Sequence, residues 1–378
     1  TWDAATTNWT TVNGTGNRDW SSNFAVFQTP AGTVSVNGTQ VITGLQFTVD
    51  GYVLDGPGAL QLVNNGNGTA TLRVDPNATA TLNVGLTGSG VLNKVDAGTL
   101  VLNGANSYTG GTVLNGGTLV LGNNSALGNG TLVTAANTTL DNNTAVTLAN
   151  NIGTFGALNL TGSNALTLNG LVTGGGSLVK NGASSLTLNG ANAYTGGTTV
   201  KAGALVLGNN TALGSGTLHV AGAGITLDNT PALSLANAVD LANSLTLLGT
   251  SDLALGGVIS GAGGLVKNGA GNLTLGGLNT YAGGTTLAAG SLTVASGAAL
   301  GSGALNVTGA SSLNNSGAVA LGNTVNLGAD LTLPGTTSLT LNGLVAGSGG
   351  LNKVGTGTLT LNAVSYTHLR AHETRGNL

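Results

Sequence analysis

The sequence predicts an all-β protein, folded as a right-handed parallel β-helix of roughly 15 to 18 coils. Three observations lead to this prediction. A long segment recurs along the chain, short runs alternate Thr with Leu or Val, and no segment shows the 3.6-residue apolar period of a helix. Strands of this length also suit a sandwich or a barrel, but only stacked coils give a reason for the long recurrence.

The recurring segment begins at Leu92, Leu178 and Leu265, and a fourth copy begins at Leu351, so the copies are 86 or 87 residues apart. The first copy reads LNKVDAGTLVLNGANSYTGGTVLNGGTLVL and the second reads LVKNGASSLTLNGANAYTGGTTVKAGALVL. If a coil takes ~20 to 25 residues, each repeat spans roughly four coils.

Short strand-like segments such as TLVL at 99–102 and LTLN at 186–189 alternate polar and apolar residues, which predicts one buried face and one solvated face. Asn-Gly pairs follow many of these segments, for example Asn103-Gly104 and Asn189-Gly190. Since such pairs tolerate positive φ, we expect them to make tight corners.

Composition excludes several classes of protein. The 378 residues include 67 Gly and no Cys, only 6% are charged, and the net charge is -3. Without Cys there are no disulfides or thiolate metal sites, and without a basic cluster we expect no nucleic-acid partner. Gly and Asn interrupt every apolar stretch, so we expect no membrane insertion by this segment.

The chain divides into three predicted parts. Residues 1–87 are an N-terminal cap with the first coils, residues 88–363 are a β-helix of three full repeats and one truncated repeat, and residues 364–378 are a non-native or frameshifted tail. The tail breaks the repeat and holds an atypical set of side chains, namely His368, Arg370, His372, Glu373 and Arg375. We exclude it from the fold and from metal binding.

Aromatic residues concentrate at the start of the chain, at Trp2, Trp9, Trp20, Phe24, Phe27 and Phe47. A solenoid needs atypical residues to cover its open end, so we interpret them as the interior of a cap. The alternative is an aromatic platform that binds carbohydrate.

Two residue types recur in register with the repeat. Asp141 and Asp228 occupy matching positions where the third copy has Asn314, which indicates a hydrogen-bonding corner rather than proton transfer. Four lysines recur as well, and we interpret them as solvated side chains that discourage sideways strand pairing. They are Lys94, Lys180, Lys267 and Lys353.

An enzyme acting on polysaccharides would need clustered carboxylates with a base or cation nearby. The best cluster is Asp50 and Asp55 with Arg73, and His219 is the single His before the tail. Turn and cap roles explain these residues better, so we predict no catalytic, cofactor-binding or metal-binding residues and no cofactor. A Thr-rich face that binds ice or another ordered surface is a further alternative, but the T-x-T words are irregularly spaced.

The pattern L-x-K, then L-x-G-x-N-x-Y-x-G-G-T, resembles the passenger-associated β-strand repeat of bacterial autotransporters. It is carried by Lys94 with Tyr108, Lys180 with Tyr194, and Lys267 with Tyr281. The resemblance implies a right-handed β-helical passenger at the surface of a Gram-negative bacterium, anchored in the outer membrane through a C-terminal β-barrel that this sequence does not contain.

These observations together predict a non-enzymatic β-helical stalk, which supports adhesion or displays a distal domain. Host or cell-surface glycans or proteins are its expected partners. A glycan-binding adhesin is the first alternative, and a β-helical polysaccharide lyase or hydrolase is the second. Exposed Trp or Tyr in a row would favour the adhesin, and convergent Asp and Arg in a cleft would favour the enzyme.

Overall fold

The computed structural model describes residues 1–3, 9–10, 17–18, 24–63 and 68–364, and this part of the chain contains strands and no helix. The strands form a parallel β-solenoid of about 17 turns, which confirms the predicted fold and number of coils. An antiparallel pair, Trp9–Thr10 with Asn17–Arg18, precedes the solenoid in sequence. Trp20 and the predicted tail from residue 365 onward lie outside the described residues.

The chain forms two compact units, Thr1–Gly196 and Gly197–Leu378. The strands of the first unit are β1 (Trp9–Thr10), β2 (Asn17–Arg18), β3 (Phe24–Phe27), β4 (Thr33–Ser35), β5 (Thr39–Ile42), β6 (Gly44–Phe47), β7 (Tyr52–Asp55), β8 (Ala59–Leu62), β9 (Thr69–Val74), β10 (Thr79–Leu82), β11 (Gly85–Gly88), β12 (Val91–Val95), β13 (Thr99–Leu102), β14 (Thr112–Leu114), β15 (Thr118–Leu121), β16 (Leu132–Thr134), β17 (Thr138–Asn142), β18 (Val146–Leu148), β19 (Ile152–Thr154), β20 (Ala157–Leu160), β21 (Leu166–Leu168), β22 (Val172–Thr173), β23 (Ser177–Lys180) and β24 (Leu186–Leu188).

The strands of the second unit are β25 (Thr198–Val200), β26 (Ala204–Leu207), β27 (Leu218–Val220), β28 (Ile225–Asn229), β29 (Leu233–Leu235), β30 (Val239–Leu241), β31 (Leu245–Leu247), β32 (Leu253–Leu255), β33 (Ile259–Ser260), β34 (Leu265–Lys267), β35 (Asn272–Leu275), β36 (Thr285–Leu287), β37 (Ser291–Val294), β38 (Leu305–Val307), β39 (Ser311–Asn315), β40 (Val319–Leu321), β41 (Val325–Leu327), β42 (Leu331–Leu333), β43 (Leu339–Gly347), β44 (Leu351–Lys353) and β45 (Leu359–Val364).

Each unit has three faces, and each face is a parallel sheet. In the first unit the faces run β3-β6-β9-β12-β14-β16-β19-β22, then β4-β7-β10-β13-β15-β17-β20-β23, with β5-β8-β11 and β18-β21-β24 on the third side. In the second unit they run β25-β27-β30-β33, β26-β28-β31-β34-β36-β38-β41-β43 and β29-β32-β35-β37-β39-β42-β44. Strands β40 and β45 also pair with β43.

The turn length does not divide the repeat evenly. Leu132 pairs with Ile152 and Ile152 pairs with Val172, so one turn takes about 20 residues. A repeat of 86 residues therefore contains about 4.3 turns rather than the four expected, and equivalent residues of successive repeats move to another face. Lys94 lies on β12 of one sheet, whereas Lys180 lies on β23 of a different sheet of the same unit.

The core consists of columns of aliphatic side chains. Leu100, Leu119 and Leu140 are Cα partners on successive strands, and all three are fully buried. The alternation seen in the sequence is the cause, since β13 and β15 direct half-buried Thr and Val outward and bury Leu. Full burial of one such Leu contributes roughly 1.5 to 3 kcal/mol.

Glycine at two of the Asn-Gly corners serves close approach rather than positive φ, whereas Gly38 of the Asn37-Gly38 pair has a φ of +66°, so the expectation holds at some corners and not at others. Gly104 and Gly190 do not have positive φ. A Cβ at Gly104 would lie 2.3 Å from the Val84 carbonyl oxygen, and one at Gly190 would lie 2.3 Å from that of Gly170. Each corner packs against the backbone of the preceding turn, which leaves no room for a side chain.

Candidate functional site

The recurring lysines are buried, which corrects the prediction that all four are solvated. Lys94, Lys180 and Lys267 expose 0%, 1% and 3% of their surface, and only Lys353 is exposed. The sequence contains the reason. In each buried copy the Lys follows an inward Leu by two residues, and period-2 alternation places both side chains on the core side of the strand.

Each buried ammonium donates to backbone carbonyls at a corner of the solenoid. Lys94 Nζ donates to the carbonyl oxygens of Val95 at 2.8 Å, Asp96 at 2.9 Å and Gly116 at 3.2 Å. The first two acceptors belong to the same turn and the third belongs to the next turn. Each of the three ammonium protons therefore has a carbonyl acceptor, and the hydrogen bonds of Lys94 join two turns.

The other buried lysines use the same kind of acceptor. Lys180 Nζ donates to Gly182 O and Ser184 O, both at 2.6 Å, and Lys267 Nζ donates to Gly269 O and to Ala289 O. Burial lowers the pKa of both Lys94 and Lys180 to about 8, although nearby Asp96 acts in the opposite direction on Lys94. Burial also lowers the pKa of Lys267, against the opposing effect of Asp252.

An asparagine twelve residues after the lysine joins three turns. Asn106 Oδ1 accepts from the amide of Leu86 at 2.7 Å, and its Nδ2 donates to Ala126 O at 2.6 Å. In the third copy, Asn279 makes the same bonds to Ile259 N and Ala299 O. In both copies the strand pattern stops at this corner, and the side chain replaces a missing backbone bond.

A tyrosine two residues further on fills the core at this corner. Tyr108 is fully buried, and its hydroxyl lies 2.5 Å from Thr112 Oγ1. Tyr281 bonds Thr285 in the same way at 2.6 Å. Burial raises the pKa of Tyr281 to about 12 although the Thr285 bond opposes it, and burial likewise raises the pKa of Tyr108. Tyr194 is also fully buried.

We call the lysine, asparagine and tyrosine of one repeat the polar brace: Lys94, Asn106 and Tyr108 in the first copy, Lys180, Asn192 and Tyr194 in the second, and Lys267, Asn279 and Tyr281 in the third. A further asparagine follows each brace and donates to two glycine carbonyls. Asn150 bonds Gly128 O at 3.0 Å and Gly130 O at 2.7 Å. Asn237 and Asn323 make equivalent pairs of bonds. The brace therefore satisfies the solenoid's own backbone.

The recurring Asp positions hold corners, as the sequence suggested. Asp228 Oδ1 accepts from the Asn229 amide at 2.8 Å, and Asn314 Oδ1 accepts from the Asn315 amide at 2.9 Å. Asp141 accepts from the amide and hydroxyl of Ser163. Burial alone would raise the pKa of Asp141, but these hydrogen bonds bring it below its usual range.

The residues of the best carboxylate cluster have separate partners. Arg73 Nε pairs with Asp96 Oδ2 at 3.0 Å, which sequence reasoning missed. Asp50 Oδ1 accepts from the Thr79 amide, and Asp55 Oδ1 accepts from the Gly56 amide. His219 Nδ1 lies 3.3 Å from Asp240 Oδ2 on the neighbouring strand, with both side chains about half exposed.

The described aromatic residues at the start of the chain mostly form core. Trp2 is fully buried, and its ring lies 5.9 Å from that of Phe27, which stacks on Phe47 at 4.8 Å. Tyr52 completes the cluster, whereas Phe24 is 39% exposed. Trp2 is therefore part of the interior. The side chain of Trp9, like Trp20, lies outside the described residues.

The surface has small hollows. Two of the best formed have a cavity volume of about 10 Å³ each, whereas ligand pockets occupy roughly 300 to 1,000 Å³. In the described part of the chain, no three His or acidic residues are grouped to hold a metal ion. That part also contains no helix of the length and apolarity needed to cross a membrane.

Comparison with known protein families identifies the same repeat as the sequence analysis. The family model of the passenger-associated-transport-repeat matches residues 92–121, 178–207, 265–294 and 351–368. Each of the first three matches contains a complete brace, and the fourth runs a few residues into the predicted tail. No solved structure matches the chain.

One relative is an autotransporter, the adhesin BmaC of Brucella suis biovar 1 (strain 1330). It is 36% identical over 132 residues, which cover 32% of this chain and 4% of the adhesin. The chain thus corresponds to a small part of that protein's length. The four repeats and this relative support an autotransporter passenger domain with passenger-associated-transport repeats.

Proposed function

We propose that the chain is a non-enzymatic structural segment of a passenger at the surface of a Gram-negative bacterium, where it holds an adhesive region away from the outer membrane. The observation that carries this proposal is the polar brace. Its ammonium, amide and hydroxyl groups are directed at backbone groups and a Thr hydroxyl of the solenoid, as Lys94 and Asn106 illustrate. Polar groups used in this way stabilise the fold.

The geometry of the repeat supports the same role. Because a repeat contains about 4.3 turns, equivalent residues in a unit lie on different sheets, as Lys94 and Lys180 do. Repetition therefore distributes surface side chains around the solenoid instead of building one large binding face. This arrangement suits a shaft whose length matters more than any single side.

The proposed role in adhesion is supported by the relative, which is named as an adhesin. The partners that we propose for the whole passenger are glycans or proteins of a host or of other cells. Membrane attachment would come from a C-terminal barrel domain, as the family implies. The division into a cap at 1–87, repeats at 88–363 and a tail at 364–378 remains a proposal of the same kind.

A binding and activity assay on the purified chain tests the stalk. We expect no saturable binding to host cells or to immobilised glycans, and no release of new ends from acidic or neutral polysaccharides. The matched control is Arg73→Gln with Asp240→Asn, which removes two exposed charged groups. Saturable binding that this variant abolishes would contradict the stalk and favour an adhesin. Polysaccharide cleavage that it abolishes would favour an enzyme.

A further inference from the structure

Asparagine side chains lose their amide most readily before glycine, because the glycine nitrogen carries no Cβ neighbour that would hinder its approach to the asparagine carbonyl. The fold protects several Asn-Gly pairs of this chain. Asn103 Nδ2 donates to Asn83 Oδ1 at 2.9 Å, its Oδ1 accepts from Asn143 Nδ2 at 3.0 Å, and the Gly104 amide donates to Leu82 O at 3.3 Å. Other asparagines that precede glycine also have hydrogen-bonded side chains, namely Asn115, Asn169, Asn181, Asn189 and Asn342.

The pair Asn37-Gly38 has no such protection. Both residues are exposed, and a Cβ at Gly38 would meet nothing within 4 Å. In the described part of the chain, neither the Asn37 side chain nor the Gly38 amide makes a hydrogen bond. A nitrogen without an acceptor is free to give up its proton, and a side chain without partners is free to turn toward the next amide. The pair therefore meets both conditions for attack of the glycine nitrogen on the side chain.

The main chain on either side of this pair is held in place. The Asn37 amide donates to Trp2 O at 2.9 Å. Together with the bond from the Trp2 amide to Ser35 O at 2.6 Å, it attaches the first residues of the chain to the solenoid. On the other side, Gly38 O accepts from the amide of Ala59, on the next turn, at 2.9 Å. The pair therefore lies between two backbone attachments.

We propose that Asn37-Gly38 is a modification site, at which the side-chain amide is lost through a succinimide. The Gly38 nitrogen attacks Asn37 Cγ, so that a new N–C bond forms and the bond between Cγ and Nδ2 breaks. Nδ2 leaves as ammonia and takes up the proton that the Gly38 nitrogen gives up. Water then opens the ring at one of its two carbonyls, which gives aspartate or isoaspartate at position 37. The reaction consumes one water molecule and involves no oxidant or reductant.

The isoaspartate product changes the attachment of the first residues. Its main chain runs through the former side chain, which inserts one carbon between the Asn37 amide and the Gly38 carbonyl. The bonds to Trp2 O and from Ala59 N lie on opposite sides of this insertion, so the two no longer fit the same length of backbone. We expect the bond to Trp2 to break, because Ala59 is fixed in β8. Trp2 is fully buried with its ring 5.9 Å from that of Phe27, and the modification therefore loosens a core contact.

Ageing of the purified full chain tests the modification. The chain is kept at mildly alkaline pH in water enriched in a heavy oxygen isotope, which marks the new carboxyl group, and its peptides are mapped by mass spectrometry. Asn103-Gly104 is the matched control within the same molecule. We expect Asn37 to react at least about tenfold faster than Asn103 in the folded chain, where the bonds of Asn103 and Gly104 must first break, and at a similar rate in denaturant. Equal rates in the folded chain, or a difference that persists in denaturant, would overturn the proposal.

Quenching of tryptophan fluorescence tests the consequence. A chain with Trp9→Phe and Trp20→Phe keeps Trp2 as its single tryptophan. The control adds Asn37→Gln, because the longer side chain has to close a six-membered ring and reacts far more slowly. After ageing, we expect quenching of Trp2 by acrylamide to rise at least about twofold in the chain that keeps Asn37 and to stay unchanged in the control. Unchanged quenching in material that contains isoaspartate would contradict the loosening. Neither experiment depends on whether the chain is a stalk.

Discussion

Replacement of Lys94 by Met tests the polar brace. The change removes the ammonium that donates to Val95 O, Asp96 O and Gly116 O, and keeps a long apolar side chain in the core. Each buried carbonyl left without a donor costs roughly 1 to 3 kcal/mol. Removal of a desolvated charge offsets part of this loss, as the lowered pKa of about 8 indicates. We expect a net loss of about 2 to 4 kcal/mol in local stability.

Hydrogen exchange is the suitable assay, because long repeat proteins open locally and a single global free energy is poorly defined. The expected loss corresponds to exchange roughly 30 to 800 times faster for amides between residues 95 and 118. Lys353→Met is the matched control, since Lys353 is exposed and, among the described residues, donates one hydrogen bond, to Gly355 O at 2.7 Å. Exchange that changes no more in Lys94→Met than in this control would refute the structural role of the buried lysines.

Three further predictions concern the buried polar residues and the corners of the repeats. Stability should rise between about pH 8 and the usual lysine pKa, because there the unfolded chain keeps protons that Lys94 and Lys180 lose when folded, and it should fall between about pH 10 and 12, because Tyr281 keeps its proton only in the folded chain. Measurement of Tm across this range checks both slopes. Lys267 also contributes to the rise, so an equally steep rise in the double variant Lys94→Met with Lys180→Met would contradict the assignment. Asn106→Ala should lower the free energy of unfolding by about 2 to 5 kcal/mol, since it leaves Leu86 N and Ala126 O unpaired. Asn326→Ala breaks one exposed bond to Asn306 and should lower it by under about 1 kcal/mol, and denaturation of both variants measures the difference. Gly128→Ala should lower the free energy of unfolding by more than about 2 kcal/mol, because its φ is +59° and a Cβ would lie 2.3 Å from Tyr108 O. Gly175→Ala, where a Cβ meets nothing within 4 Å, should lower it by under about 1 kcal/mol. Equal Tm values for the two variants would show that the corner at Gly128 tolerates a side chain.

Sequence reasoning reached the architecture because two signals agreed. The long repeat required units that stack on one another, and the alternation at TLVL gave the buried Leu and outward Thr that β13 and β15 have. The coil number followed from an assumed length of ~20 to 25 residues per turn. The rotation of repeats around the faces was missed, because a small error in that length decides whether 86 residues make four turns or 4.3.

The candidate site was only half predicted. The spacing of Lys94 and Tyr108 identified the repeat, but the lysine was interpreted as a solvated side chain that discourages sideways strand pairing. Its partners are backbone carbonyls at corners, which carry no sequence signature. The inward position of Leu92 two residues earlier was the available clue. The three-turn bonds of Asn106 depend on contacts 20 residues away in both directions, which local patterns do not encode.

The central claim is that turns of about 20 residues stack in a fixed register, and cysteine cross-linking measures this most directly, since the chain has no native Cys. Thr79, Thr99 and Thr118 are Cα partners on three successive strands. The account predicts that Thr99→Cys with Thr118→Cys forms a disulfide on mild oxidation, because neighbouring strands lie about 4.8 Å apart. Thr79→Cys with Thr118→Cys should not, because two strand spacings exceed the roughly 7 Å that a disulfide can span. Equal cross-linking of the two pairs, or cross-linking of the second pair alone, would contradict the stacked register.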